Sequence, residues 1–103
     1  MSANLANLQS AILLACYPTN TRQIEQGRQA VLEMDRDFTL VHIEQVAREC
    51  LNLDDYWEYR RFLELCDLLD TKLAQRVACW GIGHVDPDVR EAGDDFTKQT
   101  TTG

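Results

Sequence analysis

From Asp55 to Leu69 the apolar side chains recur at helical spacing: at about 100° per residue, Tyr56, Tyr59, Phe62, Leu63, Cys66 and Leu69 fall on one broad face. A strand would need strict alternation, and no period-2 run long enough for a β-hairpin occurs anywhere in the chain. The rhythm demands a helix here, and the rest of the sequence repeats it between breaks that read as caps and turns. The fold class expected is all-α: five to six short antiparallel helices in a stack of helical hairpins.

Each break has its own chemistry. Leu5, Leu8, Ile12 and Cys16, with Leu13 and Leu14, form a first stripe opened by Ser2 as N-cap and stopped at Pro18, which cannot continue a helix. The polar run 18–21 then caps a second helix, in which Ile24, Gly27, Val31 and Met34 share a face. Asp35-Arg36-Asp37 is a polar break, and Phe38 staples a third helix carrying Leu40, Ile43, Val46, Ala47 and Cys50. Asp55 with Glu58 three residues on has the spacing of a capping box.

Asp70 caps a fifth helix with Leu73, Val77 and Trp80 on one stripe, and Gly81 or Gly83 is expected to close it in the left-handed conformation. Asp86-Pro87-Asp88 is a strong start signal: a carboxylate at N-cap, a proline at N1 with no donor to waste, and an acid in the first turn where the helix dipole favours it. Val89, Ala92, Gly93 and Phe96 are the buried edge of this last helix. One domain is expected over residues 1–97, with 98–103 a frayed polar tail.

Apolar residues make up 45% of the 103 and charged residues 26%, so the chain can build a core unaided. The net charge of −7 repels phosphate backbones and anionic lipid, which argues against nucleic-acid and membrane binding and for a cationic protein partner. The apolar run 5–17 is too short and too interrupted by Asn7, Gln9 and Ser10 to serve as a span or leader. Cys16, Cys50, Cys66 and Cys79 are widely spaced, without a Cys-x-x-Cys pair. They read as buried, reduced thiols in a cytoplasmic protein.

Chemistry is hard to find. His42 and His84 with those cysteines lack the close pairs of a zinc site, and the acids lack the Asp-x-Asp-x-Asp-Gly loop of a calcium site. Gly81-Ile82-Gly83 follows a helix where a phosphate cradle follows a strand. No base with an orienting partner is visible, so we expect no enzyme, no metal and no cofactor. His84 reads as a cap for the fifth helix or as an exposed side chain.

The acids Asp54, Asp55, Glu58, Asp86 and Asp88 lie at helix starts, where the dipole alone justifies several of them. Asp94 and Asp95 lie late in their helix and oppose it. Opposite the core face of residues 55–69 runs a mixed stripe, Trp57, Arg61, Glu64 and Leu68. Trp57 either packs under a neighbouring helix or reaches a partner. The candidate partner-binding residues are therefore Asp54, Asp55, Trp57, Glu58, Arg61, Asp86, Asp88, Asp94 and Asp95.

Asp86-Pro87-Asp88-Val89-Arg90-Glu91-Ala92 resembles the opening of the first helix in HEAT-like repeats, over some ten residues. That resemblance implies a stacked helical scaffold with a protein-binding surface, and a hydrogen-bonding role for Arg90. It departs from the pattern in having one clear copy and Gly93 where Ala is usual. Tyr59-Arg60-Arg61-Phe62-Leu63-Glu64-Leu65, followed by the acidic segment 88–96, is also similar to the small acidic immunity proteins of bacterial polymorphic toxin systems. It implies a cognate, basic toxin domain blocked through acidic and aromatic residues. The alternative is a regulatory or adaptor module that forms a homodimer through Trp57, Arg61, Glu64 and Leu68. A third is an enzyme with a pocket built around His42, His84 or a cysteine.

Overall fold

The structure, a computed structural model, describes residues 3–17 and 20–101, with side chains from 4 to 97; the expected cap Ser2 and stop Pro18 lie outside them. It is all-helical, in six helices: α1 Ala3–Cys16, α2 Thr21–Glu33, α3 Arg36–Cys50, α4 Tyr56–Leu69, α5 Thr71–Cys79 and α6 Pro87–Thr101. No helix of the described residues is long and apolar enough to cross a membrane. The chain falls into two compact units, Met1–Asn52 with α1 to α3 and Leu53–Gly103 with α4 to α6.

The capping chemistry sets the helix starts. Asn20 accepts hydrogen bonds from the backbone N–H groups of Arg22 (2.9 Å) and Gln23 (3.2 Å). Asp35 accepts from Phe38 (2.9 Å), Asp55 from Glu58 (3.0 Å) and Asp70 from Leu73 (3.1 Å). Each satisfies a donor that the first turn cannot pair internally. Asp70 alone joins α4 to α5: its extended backbone, at φ −167°, ends one helix while its side chain starts the next. Because Asp35 is the cap, α3 begins at Arg36, two residues earlier than a start at Phe38 implies.

In the first unit α1 packs on both α2 and α3 and buries Leu8, Ala11, Ile12, Ala15 and Cys16. The expected stripe shifts slightly, since Leu14 is partly exposed while the small residues Ala11 and Ala15 face inward. They do so because α2 comes very close there, at Gly27, which with Ile24 and Val31 forms the buried face of α2. Ile43, Val46 and Ala47 line the buried side of α3. Thr39 is fully buried there too, its hydroxyl donating to the Asp35 carbonyl at 3.0 Å.

In the second unit Tyr59, Phe62, Leu63, Leu65, Cys66 and Leu69 of α4 are buried, as the helical projection implies except for Leu65 in place of Tyr56. The phenol of Tyr59 donates to the carbonyls of Val77 (2.6 Å) and Ala78 (3.1 Å), binding the start of α4 to the last turn of α5. Phe62 stacks on Trp80, centroids 6.1 Å apart. Gly81 does not adopt the expected left-handed conformation, and no glycine of the described residues does. Instead α5 tightens through i to i−3 bonds, Trp80 N–H to Val77 O (3.0 Å) and Gly81 N–H to Ala78 O (3.2 Å). Gly81 is required for space: a Cβ there would stand 2.9 Å from the Tyr59 ring and from Val89 O.

Gly93, the departure from the HEAT-like pattern, has the same reason. Its Cβ would lie 2.5 Å from Ala78 O, so α6 could not approach α5 with an alanine in that place. Gly93→Ala should cost about 2 kcal/mol, the usual range for forcing an extra methyl into a packed contact, readable as a lower urea midpoint. None of the four cysteines is in a disulfide, but only Cys16 and Cys66 are buried; Cys50 is half-buried and Cys79 is exposed, on the outer side of the short helix α5. α6 continues as helix to Thr101.

Candidate functional site

The candidate residues gather mainly at the end of the second unit where α4 and α6 begin. Asp86 starts α6 as expected: its carbonyl accepts from Arg90 N–H (3.1 Å) and its carboxylate from Asp88 N–H (2.9 Å), with Pro87 at N1. Its own N–H donates to Nδ1 of His84 at 3.0 Å. That nitrogen must therefore carry a lone pair, and the proton of the ring sits on Nε2, which donates to Asp54 Oδ1 at 2.8 Å. His84 is thus neither a helix cap nor free in solvent. With its side chain only 19% exposed, it ties the segment before α4 to the segment before α6. Both ring nitrogens are engaged in that tie.

Asp54, 84% exposed at its side chain, presents its carboxylate to water beside this knot, and Asp88 is exposed on the first turn of α6. Asp55 and Glu58 are half-buried, Asp55 being the N-cap of α4. Trp57 is 60% exposed: it meets Tyr56 edge to face at 5.0 Å, and the Arg61 guanidinium lies 5.8 Å from its ring centroid. Trp57 is thus not packed under a neighbouring helix, the first of the two places expected for it. Leu68, on the same stripe, is 53% exposed.

Asp94 and Asp95 separate. Asp94 is exposed, whereas the Asp95 carboxylate accepts from Arg60 at 3.2 Å, and Arg60 also lies over the Phe96 ring at 5.7 Å. Burial, the largest single influence, works against the Arg60 charge, but the Asp95 hydrogen bond together with the charge interactions of Tyr56, Asp95 and Glu64 more than offsets it, and the net shift is upward. Asp95 therefore fastens α6 to α4, and since α6 runs on to Thr101 it stands in mid-helix and not, as expected, late in it, so its carboxylate has a structural role without invoking a partner. Arg90, given a hydrogen-bonding role by the HEAT-like resemblance, is exposed.

Two exposed aliphatic residues went unremarked in the sequence. Ile82 and Val85, 58% and 90% exposed, stand on the loop that His84 pins. The charge is also uneven. Leu53–Gly103 holds eleven of the 17 acidic and six of the 10 basic residues, a net of −5 out of −7.

In the first unit, His42 packs against Phe38 with the rings tilted at 48° and centroids 4.6 Å apart, and borders a crevice of about 210 Å³ with Leu5, Gln9, Gln45, Val46 and Glu49. Among the described residues no three His, Cys, Asp or Glu side chains gather to hold a metal ion. No family model, curated protein or solved structure matches the chain.

Proposed function

We propose that this is a non-catalytic protein-binding protein, an immunity protein that neutralises a cognate bacterial toxin by binding its basic active-site region. The observation that carries the reading is Trp57, a large aromatic side chain held mostly in solvent three residues along the chain from exposed Asp54, on the more acidic of the two units. Tryptophan is usually well buried, and at interfaces it supplies binding energy out of proportion to its number. Carboxylates around it would occupy positions that a toxin keeps for an anionic substrate, so steering and blocking use the same charges. Cytoplasmic residence follows from this role, because an immunity protein meets its toxin inside the cell that makes both.

The test is co-expression. The product of the adjacent gene should arrest growth when expressed alone, and this chain should restore growth. With Trp57→Ala protection should fail even though the variant retains its helical circular dichroism. An adjacent product without toxicity, or protection unaffected by Trp57→Ala, contradicts the assignment.

A second reading is supported by the two exposed apolar side chains on one stripe of α4, Trp57 and Leu68, with half-buried Arg61 and Glu64 between them. That stripe suits a homodimeric regulatory or adaptor module. Sedimentation equilibrium separates the two: a stable dimer without partner, dissociated by Leu68→Glu, favours the second.

A further inference from the structure

The loop between α5 and α6 combines two properties that seldom coincide. It is tightly held: His84 N–H donates to Gly81 O at 3.1 Å, both His84 ring nitrogens are bonded, and Asp86 and Asp88 close the turn into α6. Yet it holds Ile82 and Val85 in water, and Val85 is the most exposed of the large apolar residues described. A loop that merely joined two helices would need neither the ties nor the aliphatic side chains. A loop already held in one shape loses little conformational entropy on association, so its apolar side chains contribute their burial almost in full.

The surroundings specify the partner's chemistry. Asp54 is bonded to the loop through His84, Asp86 follows Val85 in sequence and Asp88 lies two residues further on, so three carboxylates belong to the loop and its anchor points. Trp57 lies three residues from Asp54, at most about 10 Å along the chain. We infer that the loop Gly81–Asp86 is a preorganised docking element for a basic segment of another protein, one that lays apolar side chains on Ile82 and Val85 and pairs its Lys or Arg residues with Asp54, Asp86 and Asp88. The inference rests on the reading of the second unit as a protein-binding face and adds a second anchor to Trp57. His84 is its positioning residue, acting through the loop and not by touching the partner.

The experiment selects short random peptides displayed on phage against the immobilised full chain, then measures selected peptides by fluorescence anisotropy. Sequences combining Lys or Arg with large apolar residues should be enriched. Their affinity should fall about tenfold or more with Ile82→Ser or Val85→Ser, substitutions at exposed positions, and should weaken as salt rises. His84→Ala should weaken binding as well and accelerate amide exchange at residues 81–86, which loss of a mere contact would not do. Peptides lost with Trp57→Ala but indifferent to Ile82→Ser and Val85→Ser overturn the inference and leave the protein-binding reading standing. Failure to enrich cationic apolar peptides overturns it as well, while the growth-rescue experiment judges the wider reading independently.

Discussion

Gly27→Ala should destabilise the first unit by about 3 kcal/mol or more, at the upper end for an overpacked contact, and lower its melting temperature accordingly. The reason is that the new methyl meets backbone, which cannot rotate out of its way. A Cβ on Gly27 would stand 2.3 Å from Ala15 N, 2.7 Å from Leu14 C and 2.8 Å from Ala11 O. Accommodating it means moving α2 off α1, and with it the burial of Ile24 and Val31 against Ala11, Ile12 and Ala15. The usual gain from replacing a helical glycine by alanine, about 1 kcal/mol, is smaller than this penalty and does not reverse its sign. A melting temperature equal to or above wild type would show that the two helices are not in such close contact.

The second large effect concerns Tyr59, 1% exposed, whose phenol is pushed up from 10.0 to about 12, first by burial and then, more weakly, by the nearby Cys79 and Cys66, while the Gly81 backbone N–H works the other way. A group whose pKa is higher in the folded than in the unfolded chain binds its proton more tightly when folded. Its contribution is therefore present in full below pH 10 and is lost as pH rises from 10 towards 12. Two pKa units correspond to about 2.7 kcal/mol, so urea unfolding should show a steep loss of stability across that window. Tyr59→Phe should cost about 2 kcal/mol at neutral pH, because the carbonyls of Val77 and Ala78 lose a buried donor. The variant should also show a shallower alkaline slope. An identical slope in wild type and variant would mean that Tyr59 is not the group responsible.

These two positions mark where sequence reading stops. Caps and starts were legible at Asp55, Asp70 and Asp86-Pro87 because the donor and its acceptor lie within three residues of each other, and the broad core face of α4 was legible because helical periodicity is local. Gly27 was legible as part of a buried face but not as a point of backbone contact. That depends on where α1 lies, which no pattern within α2 records. Gly81 differs from expectation for the same reason: glycine after a helix usually signals a left-handed residue, and here it makes room for the Tyr59 ring. Cys79, expected in the core because it falls on or near an apolar stripe, lies on the outer side of α5.

The candidate site divides along the same line. Exposure of Trp57 follows from its place opposite the core stripe, once the sequence has placed that stripe. The tie of His84 to Asp54 spans thirty residues, and that of Arg60 to Asp95 thirty-five, so neither leaves a local signal. Their consequences differ: Asp95 is explained by its tie to Arg60, whereas Asp88 is exposed and Asp54 stays largely exposed even while it accepts from His84. Ile82 and Val85 were readable as apolar residues in a loop, but only the pinned conformation gives their exposure meaning.

The architecture also dictates which charge variants are informative. Asp55 caps α4, so reversing it perturbs the helix as well as any interface, and a weakened complex would be ambiguous. Asp88 accepts no such duty beyond the first-turn dipole, worth less than about 1 kcal/mol at an exposed position. Trp57 is mostly in solvent, and its removal leaves the buried face of α4 intact.

The most direct measurement of the central proposal is isothermal titration of the adjacent gene's product with the wild-type chain, Trp57→Ala and Asp88→Lys, each at low and high salt. Wild type should bind tightly, Trp57→Ala should lose about 2 kcal/mol or more, and Asp88→Lys should show a smaller loss with a flattened salt dependence. Equal affinities for all three proteins, with equal salt dependence, would contradict the proposal.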